Sequence, residues 1–203
     1  MKAILCRVGW MSHYNGREGP SGLKGSNSHE KYSGNGETWN FAPCEDGLVR
    51  GYVALRGADK STENSAGTIH LDKLGGQRVS PFIDGVKVIF FASHPTTKEN
   101  VVVGWYENAR VYRHERQLER GYGWGNYRFE AKAEDAFLIS ENHRNIRLEN
   151  NHKGSRKKGK ESLPRLNNLF YASPNPARVR RLVKKLEALP GVVNFGLNDI
   201  FDD

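Results

Sequence analysis

Of the 203 residues in this chain, four are tryptophans: Trp10, Trp39, Trp105 and Trp124. Three of them stand where an extended segment starts or stops. Trp10 directly follows the apolar run at residues 3–8, at the mouth of a long polar segment. Trp39 opens Trp39-Asn40-Phe41 at the far end of that segment, and Trp105 follows Val101-Val102-Val103-Gly104. Flat rings gathered on one rim of a sheet can stack on an extruded base. An amide such as that of Asn40 can then read the Watson–Crick edge of the base. Large aromatic residues serve as core just as readily. The spacing therefore nominates Trp10, Trp39, Asn40 and Trp105 for a pocket, with plain packing as the competing reading.

The second chemistry is phosphate binding. The formal net charge is +8. From Glu141 to Lys185, thirteen Lys and Arg stand against three Asp and Glu, a local +10 that leaves −2 for the rest of the chain. Charge gathered in this way is the footprint of a polyanion partner. Lys153, Arg156, Lys157, Lys158 and Lys160 sit among glycines and a serine, a composition that can follow a phosphate backbone without reading sequence. Arg178, Arg181 and Lys185 recur at helical spacing and extend the track. The competing reading is a solvated basic surface.

Catalytic signals are weak. Seven histidines are scattered without HxH, HExxH or HxxxH pairing. Glu141-Asn142-His143-Arg144-Asn145 superficially matches a His-Asn nuclease motif, but the second distant histidine and the structural cysteine pairs are not found. The glycine-rich segment lacks the Gly-Lys-Ser/Thr of a phosphate-binding loop. Gly121-Tyr122-Gly123-Trp124-Gly125 reads as a surface turn that could flank a pocket. With two cysteines, Cys6 and Cys44, there is no disulfide framework, and a reducing, cytoplasmic setting is expected. No signal peptide, membrane span, metal site or cofactor is expected.

The elements that must position these residues are mostly strands. Residues 2–8, 48–55, 86–92, 101–106, 109–113 and 127–130 read as strands, with Glu107-Asn108 as a tight turn joining the fourth and fifth. Residues 68–71 and 134–138 are ambiguous. The one clear helix has Asn175 as N-cap and Pro176 as first residue. Its apolar stripe is Val179, Leu182, Val183 and Leu186, and it stops at Pro190-Gly191. The pattern predicts an α+β, mainly β fold, a small barrel flanked by a few helices. It predicts a single domain over residues 1–190 and a tail or linker over 191–203.

The string Val101-Val102-Val103-Gly104-Trp105-Tyr106-Glu107-Asn108-Ala109-Arg110-Val111-Tyr112-Arg113 is the most distinctive in the chain. Taken with Arg7-Val8-Gly9-Trp10-Met11, Trp39-Asn40-Phe41 and Phe91-Ala92-Ser93-His94-Pro95, it resembles the N-terminal domains of modification-dependent HNH restriction endonucleases. Those domains look like the EVE/YTH branch of the PUA-like superfamily. The resemblance implies a PUA-like barrel that flips a modified base, such as 5-methyl- or 5-hydroxymethylcytosine, into an aromatic cage. Trp10 and Trp39 would be cage walls, Trp105 a third wall or the floor, and Ser12 and Asn40 hydrogen-bonding partners of the base. The chain carries no His-Asn-His nuclease module, so cleavage is not implied. The expected partner is nucleic acid, double-stranded DNA with a modified base, and a homodimer is possible. A general RNA-binding module, a metal-dependent nuclease using His143 and a module for an acidic protein partner are the alternatives.

Overall fold

The computed structural model describes residues 2–16, 36–55, 67–118, 125–148, 169–172 and 176–195. Nine strands run in chain order: β1 Ala3–Val8, β2 Leu48–Gly51, β3 Phe82–Ser93, β4 Asn100–Gln117, β5 Asn126–Lys132, β6 Ala136–Ile139, β7 Arg147–Leu148, β8 Leu169–Tyr171 and β9 Val192–Asn194. The helix α1, Pro176–Glu187, lies between β8 and β9. It is the one α-helix among the described residues, where a few were expected. Short 3-10 turns at Gly36–Trp39, Leu71–Leu74, Ala133–Asp135 and Glu141–His143 complete the set.

All nine strands belong to one sheet, ordered β2-β5-β4-β3-β1-β8. The N-terminal half of β4 also pairs β6 and β7, and β9 adds to β6. Only β1 and β3 run parallel. Side chains alternate across the sheet, as strand geometry requires. Ile4, Cys6, Val8, Val86, Val88 and Phe90 enter one core. Ala3, Leu5, Ile89 and Phe91 enter another on the opposite face. The first core draws residues from β1 to β6, so the sheet curls around it. The expected barrel is not closed, because no ladder joins β2 to β8 among the described residues. The second core is covered by α1, which buries Val179, Val183 and Leu186. The apolar stripe of the helix faces inward as its spacing predicts.

The expected hairpin at Glu107-Asn108 does not exist. Residues 100–117 form one strand. Asn108 adopts a left-handed backbone, φ 47°, where the β3 pairing slips from Val88↔Tyr106 to Val86↔Ala109. An Asn tolerates that conformation, and here it makes a bulge that bends the strand rather than a reversal. The chain reverses earlier, between Ser93 and Asn100, where the His94 backbone N–H donates to Glu99 O. A second slip lies near Gly104. A Cβ there would stand 2.5 Å from Phe137 O and from the Phe41 ring, so glycine is what allows the backbone this close.

The sheet also runs past residue 190. In β9, Phe137 pairs with Asn194 and Ile139 with Val192, so a domain boundary at 190/191 would fall inside the fold. Residues 134–138 resolve into a 3-10 turn followed by β6. Residues 68–70 form no strand and lead into the 3-10 turn Leu71–Leu74.

Candidate recognition site

The end of β1 is where the nominated residues meet the rest of the fold. Past Val8 the chain leaves the ladder, and its backbone groups need new partners. Glu37, itself buried, supplies one of them and serves a second segment past β2 as well. One carboxylate oxygen accepts Gly9 N–H at 2.8 Å and the other accepts Ala54 N–H at 3.3 Å. The Tyr14 hydroxyl donates to Gly9 O at 2.5 Å. Backbone bonds from Gly16 to Thr38 and from Phe41 to Tyr14 tie the 3-10 turn of residues 36–39 to the same segment.

Trp10 is 3% exposed. Its indole N–H donates to Glu141 Oε1 at 3.2 Å, and the Ser12 hydroxyl donates to the other Glu141 oxygen at 2.7 Å. Arg144 completes the node. Its Nε donates to Ile139 O at 2.9 Å and one terminal nitrogen to Ser12 O at 2.6 Å, while the other terminal nitrogen donates to Met11 O. The guanidinium lies 4.9 Å from the Trp10 ring centroid and 5.7 Å from that of Tyr14. A guanidinium cannot shed its charge, so a buried one must find acceptors and π faces; this one is 6% exposed and has both. His94 packs edge-on against Trp10 at 4.9 Å. Its Nδ1 accepts the N–H groups of Thr96 and Thr97, each at 3.2 Å, which leaves the ring proton on Nε2.

The structure therefore brings Trp10 and Ser12 together on Glu141. It does not bring in Trp105, which faces the second core on the other side of the sheet. Trp105 stacks on Phe137 at 5.1 Å and donates its N–H to Glu107, which also pairs with Lys87 at 2.5 Å. A single cage holding both Trp10 and Trp105 is excluded by the pleat, because the two side chains project to opposite faces. Asn40 is fully buried, and its amide is spent on one backbone position: it accepts Tyr52 N–H at 2.7 Å and donates to Tyr52 O at 3.0 Å. This is the mimicry of a ladder pair, so Asn40 holds the sheet edge rather than reading a base. Trp39 is half-buried. Its ring lies on Gly16, where a Cβ would come within 2.3 Å of it. The ring of Tyr52, also half-buried, covers Gly36 in the same manner.

On α1, Arg181 and Lys185 are exposed as expected, and Arg180 and Lys184 join them. Lys153, Arg156, Lys157, Lys158, Lys160, Trp124 and the Arg178 side chain lie outside the described residues. His143 lies against Gly191, where a Cβ would be 2.4 Å from its Nδ1. The neighbouring Ser140 hydroxyl donates to Gly191 O at 2.8 Å. Among the described residues no three His, Cys, Asp or Glu side chains are grouped so as to hold a metal ion. No described helix is long and apolar enough to cross a membrane.

Glu37, Tyr52, His94, Glu141 and Arg144 have no signal in the sequence as members of one site. Glu141 and Arg144 are visible only as parts of a nuclease-like string, and Glu37 only as the last acid of a polar segment. Compared with known proteins, the chain matches no family model, no curated protein and no solved structure.

Proposed function

We propose that this chain is a nucleic-acid-binding domain of PUA-like type that reads a modified base, 5-methyl- or 5-hydroxymethylcytosine in DNA. The observation that carries the reading is the outer face of α1. Arg180, Arg181, Lys184 and Lys185 are all exposed there, in the stretch of sequence that holds a local +10. These cations would contact phosphates and supply salt-dependent, sequence-blind affinity. The segment 153–160 would extend the contact.

Base selection would fall to the end of β1. Trp39 is the nominated tryptophan that is half-buried where Trp10 and Trp105 are buried, and it is the residue proposed to stack on the flipped base, with Tyr52 as a second aromatic nearby in the chain's fold. Trp10 and Ser12 would act at one remove, by holding the strand exit through Glu141. Flipping costs a few kcal/mol. Apolar contact with one added methyl returns only ~1–3 kcal/mol, so strong preference needs a polar partner for the modification.

The test is an anisotropy titration at fixed salt. The probes are a short duplex carrying cytosine, 5-methylcytosine, 5-hydroxymethylcytosine or N6-methyladenine, and a matching RNA. Preference for one modified cytosine, lost in Trp39→Ala with plain-duplex binding intact, is the expected result. Equal binding to all duplexes would reduce the protein to a basic clamp. Preference for the RNA would assign it to RNA.

A further inference from the structure

The outer face of β2, β5, β4 and β3, remote in sequence from the basic stretch, carries a pattern that nucleic-acid binding does not use. Two rows cross these strands. One is ionic: Arg50 stands opposite Glu130, Glu130 opposite Arg110, and Arg110 grips Asp84 through two bonds of 2.7 and 3.2 Å. The charges read plus, minus, plus, minus across four strands, with the Arg110 and Asp84 side chains 38% and 57% exposed and those of Arg50 and Glu130 mostly covered. The other row is aromatic: Phe82, Tyr112 and Tyr127 meet edge to face at 6.1 and 5.6 Å. Each ring has a guanidinium over it, Arg110 on Phe82 at 4.2 Å, Arg116 on Tyr112 at 5.7 Å and Arg50 on Tyr127 at 5.5 Å. The exposed large apolar side chains among the described residues are Val79, 83% exposed, and Phe82, 38% exposed, and both lie at this corner of the sheet.

We infer that this face is a self-association surface, and that its occupant is a second copy of the same chain. Charge decides between partners. Arg50, Arg110, Arg116 and Lys2 stand against Asp46, Asp84 and Glu130, so the face keeps about one net positive charge and gives a polyanion little attraction. An alternating row instead complements itself. A two-fold axis lying between two facing sheets, along the strands and between β5 and β4, reverses the row. Arg50 of one copy then opposes Asp84 of the other, Glu130 opposes Arg110, and Tyr112 opposes Tyr127. The charges of the row already have partners within the chain, so covering the face strands no lone charge. Tyrosine, phenylalanine and arginine are the residues enriched at the centre of such interfaces.

The test uses sedimentation of the full chain, freed of nucleic acid, from micromolar to sub-millimolar concentration. A reversible monomer–dimer equilibrium is expected. The double exchange Asp84→Arg with Arg110→Asp keeps an ion pair inside the chain but sets a carboxylate at 110 opposite Glu130, so the fold should persist with a modest fall in its thermal midpoint. It turns the row into plus, minus, minus, plus, which places like charges opposite each other in the dimer. The dimer constant should weaken by about tenfold or more. Val79→Asp, at a side chain that can hardly disturb the fold, should weaken it as well. A wild-type chain that stays monomeric throughout overturns the inference, as does a dimer indifferent to both changes. A monomer whose affinity for a single-stranded oligonucleotide falls in Phe82→Ala would give the face to nucleic acid instead.

Discussion

Arg144 holds its guanidinium 4.9 Å from the ring of Trp10 while donating to the carbonyls of Met11 and Ser12, both just past the end of β1. One side chain thus fixes both the aromatic and the backbone that carries it. Arg144→Met keeps the stem and removes all the donors, leaving three carbonyls to find other partners. The expected loss is about 2–4 kcal/mol, read as a lower urea midpoint. Arg144→Lys should recover little of it, because a point charge cannot reach three acceptors that the planar fork reaches. A midpoint equal to wild type in the methionine variant would show that the exit holds itself.

Glu37 accepts two backbone N–H groups on separate segments. Glu37→Gln leaves one oxygen for two donors and turns an amide N–H toward the other. The expected cost is about 1–3 kcal/mol, with faster hydrogen exchange at Gly9 and Ala54 as the local signature. Protection at those two amides unchanged from wild type would contradict the assignment.

Trp105 and Trp39 should separate cleanly. Trp105→Ala opens the second core beside Phe137 and strips Glu107 of a donor, with a loss of about 3–5 kcal/mol. Trp39→Ala removes a half-buried ring and should leave the fold in place. Comparable unfolding midpoints for the two variants would mean that Trp39 is packing rather than surface.

Salt dependence tests α1. Replacing Arg181 and Lys185 by Gln should flatten the slope of log affinity against log salt by up to ~2 units, if both meet phosphates. The loss should be alike for modified and plain duplexes, since phosphate contacts carry no base information. An unchanged slope would move the phosphate track off this helix.

Alkaline pH should destabilise the fold through its buried acids. Burial pushes the Cys6 thiol up, and the Glu37 carboxylate adds to the shift. Burial does the same for the Tyr106 phenol. Once the pH passes the ordinary thiol value of 9.0, the unfolded chain releases the Cys6 proton and the fold keeps it. Folding stability then falls by ~1.4 kcal/mol per pH unit for that group until its folded value is reached. Tyr106 adds its share above 10.0. Cys6→Ala should flatten the first part of this decline, measured as urea midpoints across the alkaline range. An equally steep decline in the variant would place its source elsewhere.

Local patterns were legible without the structure. Runs of apolar, β-branched and aromatic residues marked β1, β3 and much of β4 and β5. The Pro176 start, the spacing of Val179, Val183 and Leu186 and the Pro190-Gly191 stop marked α1 and its inward face. These signals are carried by neighbours in sequence, through the periods of strand and helix. The charge of residues 141–185 likewise needs no fold to be read. The short strands β7, β8 and β9 escaped because two or three residues exist as strands only by virtue of a partner.

The tertiary structure decided what each residue does. Asn108 carries a turn-forming propensity, and only the ladder to β3 makes it a bulge. Trp10 and Trp105 look equivalent in sequence, and only the pleat sends them to opposite cores. Asn40 reads as a free amide until Tyr52 takes both of its groups. Glu141 and Arg144 reach Trp10, Met11 and Ser12 because β6 lies against the front half of β4 and β1 lies one strand beyond β3. Propensity and charge are properties of short segments, and sequence alone determined them here. Pairing, burial and the sharing of polar groups are settled by contacts between residues far apart in the chain, and those only the folded molecule could supply.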